Sequence, residues 1–397
     1  MTSVVFGAYA TQILADQGAD VIKVEFPGGR RGGGGDIMRW TGHSQPGGPE
    51  DLGPIFMSIN RNKRSMLLDL RREDDADALR RLLATSDVFA VSVRYDGLKR
   101  LGLDYEAVKA IRPDIVYAHG AGYGSDGPYA GEPAYDDLIQ SASGLADLLP
   151  RVDDDPTPRL LPSLIADKVS GLFMAQAITA ALFHRQRAGE GQFIEIPMME
   201  CVTSFNLAEH LYGHVYDPPT GPLGYTRVAN PERKPFQTKD GYIGLLPYTD
   251  KQWDEFFAIA GWGETFAKDP RFADYRSRSG HVRELYGMVE QVTRTRTTEE
   301  WLRLLKPLQV PVVRMNRLDD LQADAHLDAV GLFERYEHPQ AGPYFSLRPP
   351  VRYSATPANI RRHPPRLGEH TDELRAELEA DPVGDASRLD RGDGGRV

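Results

Sequence analysis

Apolar residues in the first half of the chain alternate between two spacings. A small-residue helix at 8–17 stops at Gly18 and leads into a strand at 20–25, after which a Gly-rich loop fills 28–54. A strand at 65–70 (SMLLDL), a charged helix at 72–85, a strand at 88–93 (VFAVSV), a helix at 105–111 and a strand at 115–120 (IVYAHG) complete the run. Strands with period-two or continuous apolar character, separated by helices, predict a largely parallel sheet covered by helices. The fold class is therefore α/β, Rossmann-like in the large domain. The glycine run RGGGGD does not follow a strand and open a helix, so it is not a dinucleotide fingerprint; it reads first as a flexible loop and second as a ligand-covering one. Residues 160–201 carry a long helix, closed by Gly189 and Gly191, and then a strand, FIEIPM. Leu172, Ala175, Gln176, Thr179 and Phe183 recur at helical spacing, which predicts a helix buried around most of its circumference.

The texture changes near 206. Residues 206–232, rich in Tyr, Pro and Gly, read as a crossing linker between a large domain at 1–205 and a small α+β domain at 233–330. A Pro-rich stretch, 331–380, follows and reads as extended. The polar, Gly-rich end, 381–397, reads as disordered.

Composition narrows the function classes. The net charge of −10 argues against nucleic acid as a bulk electrostatic partner, so a phosphorylated ligand would need a local basic patch. No window matches the ~18–20 apolar residues of a membrane span. The single cysteine, Cys201, excludes an internal disulfide framework and fits a reducing cytoplasm. It has no basic partner nearby in sequence and reads as a small core residue. His210 and His214 have metal-compatible spacing without a third ligand, and read as helix-surface residues. Asp167, at the start of the long helix, is open to two readings: a plain N-cap or a reactive carboxylate.

A resemblance separates them. YATQILADQGADVIKVE (9–25), Gly35-Asp36 with Arg39, NRNKRSMLLDL (60–70), GLKRLGLDYEAVKAIRPDIVYAHGAGYGSDGPY (97–129), AYDDLIQSASGL (134–145), PFQTKDGYI (235–243) and RLGEHT (366–371) stand in one order along the chain. In that order they resemble family III CoA-transferases, the group that also holds α-methylacyl-CoA racemase. The resemblance implies that Asp167 is the nucleophile. It implies acyl-CoA and a small carboxylic acid as substrates, no metal and no tightly bound cofactor. Arg39, Lys63 and Arg100 lie in blocks resembling the family's CoA contacts, with Arg64 a weaker member. Met198 resembles a methionine lining the thioester site. Tyr135 stands where racemase members carry histidine, and a tyrosine hydroxyl, with a reference pKa of ~10, is a poor general base at neutral pH. The resemblance further implies that 331–380 returns to the large domain, and that two chains form a homodimer of interlocked rings. Three departures stand out. The chain opens MTSVVFGAYATQ where members carry a further strand, which leaves Ser3, Val4 and Val5 doubtful as CoA ligands. GPLGYTRVAN (221–230) replaces a four-glycine loop, and Ser92-Val93 replaces Asn-Phe. The expected activity is CoA transfer between two acids. An acyl-CoA racemase or isomerase, or a CoA-binding homologue without turnover, is the alternative.

Overall fold

The computed structural model describes residues 1–28, 33–153 and 155–380, so the expected disordered tail and part of the RGGGGD loop lie outside the described residues. The chain divides into two compact units. The first comprises Met1–Ser143, Leu161–Phe205 and the chain from Ala329 onward, and the second Gly144–Leu160 with Asn206–Asp328.

The first unit opens with α1 (Phe6–Asp16), β1 (Val21–Glu25), α2 (Pro54–Ile59), β2 (Lys63–Leu67), α3 (Glu73–Thr85) and β3 (Val88–Val91). It continues through α4 (Tyr95–Arg100), α5 (Tyr105–Ile111), β4 (Val116–Ala121), α6 (Asp136–Ala142), α7 (Ile165–Ala188), β5 (Phe193–Pro197) and α8 (Met198–His210), whose last turn passes into the second unit. β1 pairs parallel with β2, and β3, β4 and β5 form a second parallel sheet. Mixed α/β architecture with parallel sheets is thus the fold the strand and helix spacings predict. Each element has a local cause. Three acids open α3, where they favour the positive end of the helix dipole, and Ala78, Leu79, Leu82 and Leu83 form its buried stripe. Gly189 ends α7 in the left-handed conformation at φ 76°, a geometry a side chain resists.

Residues 1–3 run between the two sheets. The Met1 amino group donates to Ala90 O (2.9 Å), Ser92 N–H donates to Met1 O (3.3 Å), and Thr2 O accepts from Lys23 Nζ on β1 (2.8 Å). Val4 then turns at φ 61°, a strained value for a β-branched residue, with its N–H held by Asp36 Oδ1 (3.0 Å).

α7 departs from expectation. Its buried seam is Ala166, Asp167, Val169, Ser170, Gly171, Met174, Ala175, Ile178 and Ala181, packed largely on α1, while Leu172, Phe173, Gln176, Thr179 and Phe183 are exposed within this chain. Small residues rather than large ones mark the buried side, because they let two helices approach closely. By length and composition alone α7 could cross a membrane, but half of the relevant stretch is packed inside the unit.

The second unit has β6 (Phe236–Gln237), β7 (Tyr242–Leu245), α9 (Asp250–Ile259), α10 (Gly263–Lys268), α11 (Tyr275–Gly280), α12 (Val282–Thr293), α13 (Thr298–Leu305) and β8 (Val312–Arg314), with α14 (Ala325–Ala329) at its end. Its sheet is antiparallel in the order β6-β7-β8, over a core of Trp253, Phe256, Phe257, Phe266, Phe272, Val289 and Trp301. Capping boxes at Thr249/Gln252 and Thr297/Glu300 start α9 and α13. Back in the first unit, the stretch expected to be extended contains a hairpin, β9 (Phe333–His338) with β10 (Gly342–Leu347), and a helix, α15 (Thr371–Ala380), which packs on α3 and β2.

Candidate functional site

Asp167 lies in the first turn of α7, 5% exposed. It does not cap its own helix. The N-cap position belongs to Leu164, which makes no side-chain cap, and the Asp167 N–H instead donates to Asp136 Oδ1 (3.1 Å), the first residue of α6. The Asp167 carboxylate accepts from the Phe6 N–H at the start of α1. Two buried acids and the starts of helices α1, α6 and α7 therefore meet at one point.

Gln140 secures the arrangement. Its amide donates to Asp136 Oδ2 (2.6 Å) and to Ser163 O (3.1 Å), and its oxygen accepts from the Leu161 N–H (2.9 Å). One side chain thus fixes both the second acid and the backbone entering α7. Gly171 sets the helix spacing one turn further on: a Cβ there would sit 2.8 Å from Phe6 O and 3.2 Å from the Tyr9 ring. The sequence placed Asp167 but missed Asp136, Gln140 and the Phe6 amide. The i,i+4 spacing of Asp136 and Gln140 was the available signal.

Burial, and then the charge of Asp136, push the Asp167 carboxyl up to about 7, against the Phe6 hydrogen bond, which lowers it. An aspartate at its ordinary value would be fully ionised at neutral pH, and this one is not. Burial is costly to the anion, and the nearest ionisable neighbour carries the same sign.

The other candidates scatter. Tyr135 directly precedes Asp136 and is exposed, and Met198 is buried where β5 runs into α8. Arg100, at the end of α4, is exposed, and among the described residues no carboxylate pairs with it. Arg39 and Lys63 are not where a phosphate could reach them as folded. Arg39 is fully buried, with a bidentate pair to Glu25 (2.8 and 2.6 Å), a hydrogen bond to Pro365 O (2.9 Å) and the Phe56 ring 3.7 Å from its guanidinium carbon. Burial disfavours the Glu25 anion, but Arg39 and Lys23 outweigh that and hold Glu25 at about 2. The Lys63 ammonium donates to Ala8 O (2.7 Å), Ile59 O (3.0 Å) and Asn60 Oδ1 (2.9 Å), and burial, helped by Lys23, pulls it well below its usual value. Arg64 is likewise taken up, by Asp20, Glu373 and Glu377. These residues knit the first unit together.

Two further readings change. His210 is buried, with Nδ1 accepting from the Tyr225 N–H (3.2 Å), so it is no surface histidine. Burial and Glu200 push the half-buried Cys201 thiol up to about 11, which makes it a poor nucleophile.

Comparison with known proteins bears on the same residues. The sequence profile described as CoA-transferase family III matches residues 1–371. The succinate–glutarate CoA-transferase of Agrobacterium fabrum is 32% identical over 384 residues, covering 96% of this chain and 94% of that protein. The succinyl-CoA:glutarate CoA-transferase of Mus musculus is 30% identical, covering 95% and 84%. The crystal structure of a CaiB/BaiF family protein from Brucella suis superposes with a TM-score of 0.76 at 31% identity, covering 95% of this chain and 97% of that one. With matches running nearly end to end in sequence and in structure, the chain belongs to CoA-transferase family III and is an enzyme of that family.

Proposed function

We propose that the protein moves CoA from an acyl-CoA to a short-chain dicarboxylic acid, with Asp167 as the acyl carrier. The observation that carries this is the pair of buried acids. Holding Asp167 near 7 rather than its usual value means that its anion is disfavoured by roughly 4 kcal/mol at 1.36 kcal/mol per pK unit. An anhydride or thioester at this position carries no charge, so acylation relieves both the burial cost and the repulsion from Asp136. The ionised Asp167 attacks the thioester carbonyl and expels CoA thiolate, giving a mixed anhydride. The thiolate attacks the aspartyl carbonyl and releases the donor acid, leaving an aspartyl-CoA thioester. The acceptor carboxylate attacks that thioester and frees the thiolate again. The thiolate then takes the acceptor's acyl group and restores Asp167. The Phe6 amide is the donor in place for the oxyanions that develop. Dicarboxylate specificity is supported by the relatives named for succinate and glutarate.

Incubating succinyl-CoA with a panel of mono- and dicarboxylic acids, with mass-spectrometric detection of new CoA esters, tests the reading. Glutarate-class acids should give new esters, and an absence of any new ester across the panel would defeat it. Run in deuterated water with a 2-methylacyl-CoA, the same assay should show no α-deuterium uptake. Uptake at the rate of transfer would promote the racemase reading instead.

Arg100 and Tyr135, both exposed, are the candidates for CoA and substrate contact in this reading, with Met198 as an apolar wall. A charge-assisted contact to phosphate is worth about 1.5–3 kcal/mol. Arg100→Ala is therefore expected to raise the CoA dissociation constant roughly tenfold or more, as measured by calorimetry. Parent-like affinity would put the phosphate contacts elsewhere. The uncovered apolar face of α7, with Leu172, Phe173 and Phe183, supports the homodimer, and sedimentation as a monomer at micromolar concentration would remove that support. The lone, poorly reactive Cys201 fits a cytoplasmic placement.

A further inference from the structure

The second unit holds a pocket with its own chemistry. Arg227 stands at its edge, half-buried, hydrogen-bonded to the hydroxyls of Tyr286 and Tyr225, and paired with no carboxylate among the described residues. Trp253 (4% exposed), Tyr286 (5% exposed) and Leu285 form the inner wall. Tyr248 and Tyr275 flank the mouth, about half exposed, with ring centroids 6.1 Å apart and their hydroxyls bonded to each other. The space opens to solvent, with a cavity volume of about 40 Å³. The pocket's other cation, Arg278, is spent: it donates to Asp250 and to Phe272 O (3.0 Å).

Guanidinium groups in apolar surroundings are normally matched by an acid, because an uncompensated charge there is costly. Tyrosine hydroxyls solvate Arg227 but bring no charge. One free cation calls for a monoanion; a phosphate dianion would find only half its charge met. The walls are aromatic and aliphatic, which suits an apolar body behind the anionic head. We propose that this pocket binds the carboxylate of a small organic acid, with the acid's apolar chain against Trp253 and Leu285. The site belongs to the second unit alone and stands or falls independently of the role given to Asp167.

Trp253 serves as the reporter. Fluorotryptophan-labelled full-length protein, with Trp253 assigned through Trp253→Phe, is titrated with sodium butyrate and followed by fluorine NMR. Butyrate should shift the Trp253 resonance saturably, and butyramide, which has the same shape without the charge, should not. Arg227→Gln should raise the dissociation constant about tenfold, while Arg227→Lys, which keeps the charge, should stay within a few-fold. Tyr248→Phe, at an exposed position with little bearing on folding, should weaken binding a few-fold. Asp167→Asn should bind like the parent. The proposal is overturned by equal shifts with butyramide, by parent-like binding in Arg227→Gln, or by loss of binding in Asp167→Asn, which would place the acid at the catalytic carboxylate.

Discussion

Asp167→Ala should abolish CoA transfer, leaving less than a few per cent of the parent rate while CoA still binds. In the proposed mechanism this carboxylate carries the acyl chain, and the neighbouring Asp136 is already tied to Gln140 and to the Asp167 N–H. Hydroxylamine added during turnover should modify Asp167 alone, and residual transfer above that level would remove it from the mechanism. The acidity of Asp167 adds a pH signature. Only the anion attacks, so the acylation rate should climb with pH and level off above about 7. Stability runs the other way. The folded value lies above the unfolded one, so the folded state holds the extra proton between them, and stability falls as pH rises from about 4 through about 7. Asp167→Asn removes that penalty and keeps an acceptor for the Phe6 amide. At pH 8 it should therefore be more stable than the parent, by about 2–4 kcal/mol on the linkage arithmetic, and equal to it near pH 4. A denaturant series at the two pH values measures this. An unchanged difference between them would show that Asp167 ionises freely in the folded protein.

Arg39→Ala should damage the fold rather than CoA recognition. It leaves Glu25 buried without its bidentate partner, and breaking a buried pair by removing one member costs about 3–5 kcal/mol. The first unit's unfolding transition should move to markedly lower urea. Glu25 is held low, so its contribution is complete at neutral pH and is lost only as pH falls toward about 2. A variant with the parent's urea midpoint and weakened CoA binding would restore Arg39 to the ligand contacts.

Arg39 also shows where sequence reading runs out. The blocks that reveal the family are dense in charge, and in sequence a charge meant for a ligand looks the same as one meant for a buried partner. What decides is Glu25, fourteen residues away, and Pro365 O, from the far end of the chain. The same cause shifted β2: the apolar pattern starts the strand at 65, yet Lys63 and Arg64 begin it because their heads are taken up inside. Local signals fared better. α1, α5, α7 and the strands of both parallel sheets announced themselves by spacing and by Gly18 and Gly189. The β9–β10 hairpin was hidden by Pro343 and by charges on its exposed face, and α15 by having only Leu374 and Leu378 to bury. Within the site, Asp167 was legible through its surroundings. Asp136 was not, since an Asp-Asp pair opening a helix is ordinary dipole chemistry; only the fold turns one of the pair toward a second acid.

The glycine at 171 makes the site a matter of machining tolerance. The seam between α1 and α7 is cut so close that a single methyl group would act as a shim, prising the Phe6 amide away from the carboxylate it holds. The calibration of the acid is thus written one helical turn away from it, in a residue that has no chemistry of its own.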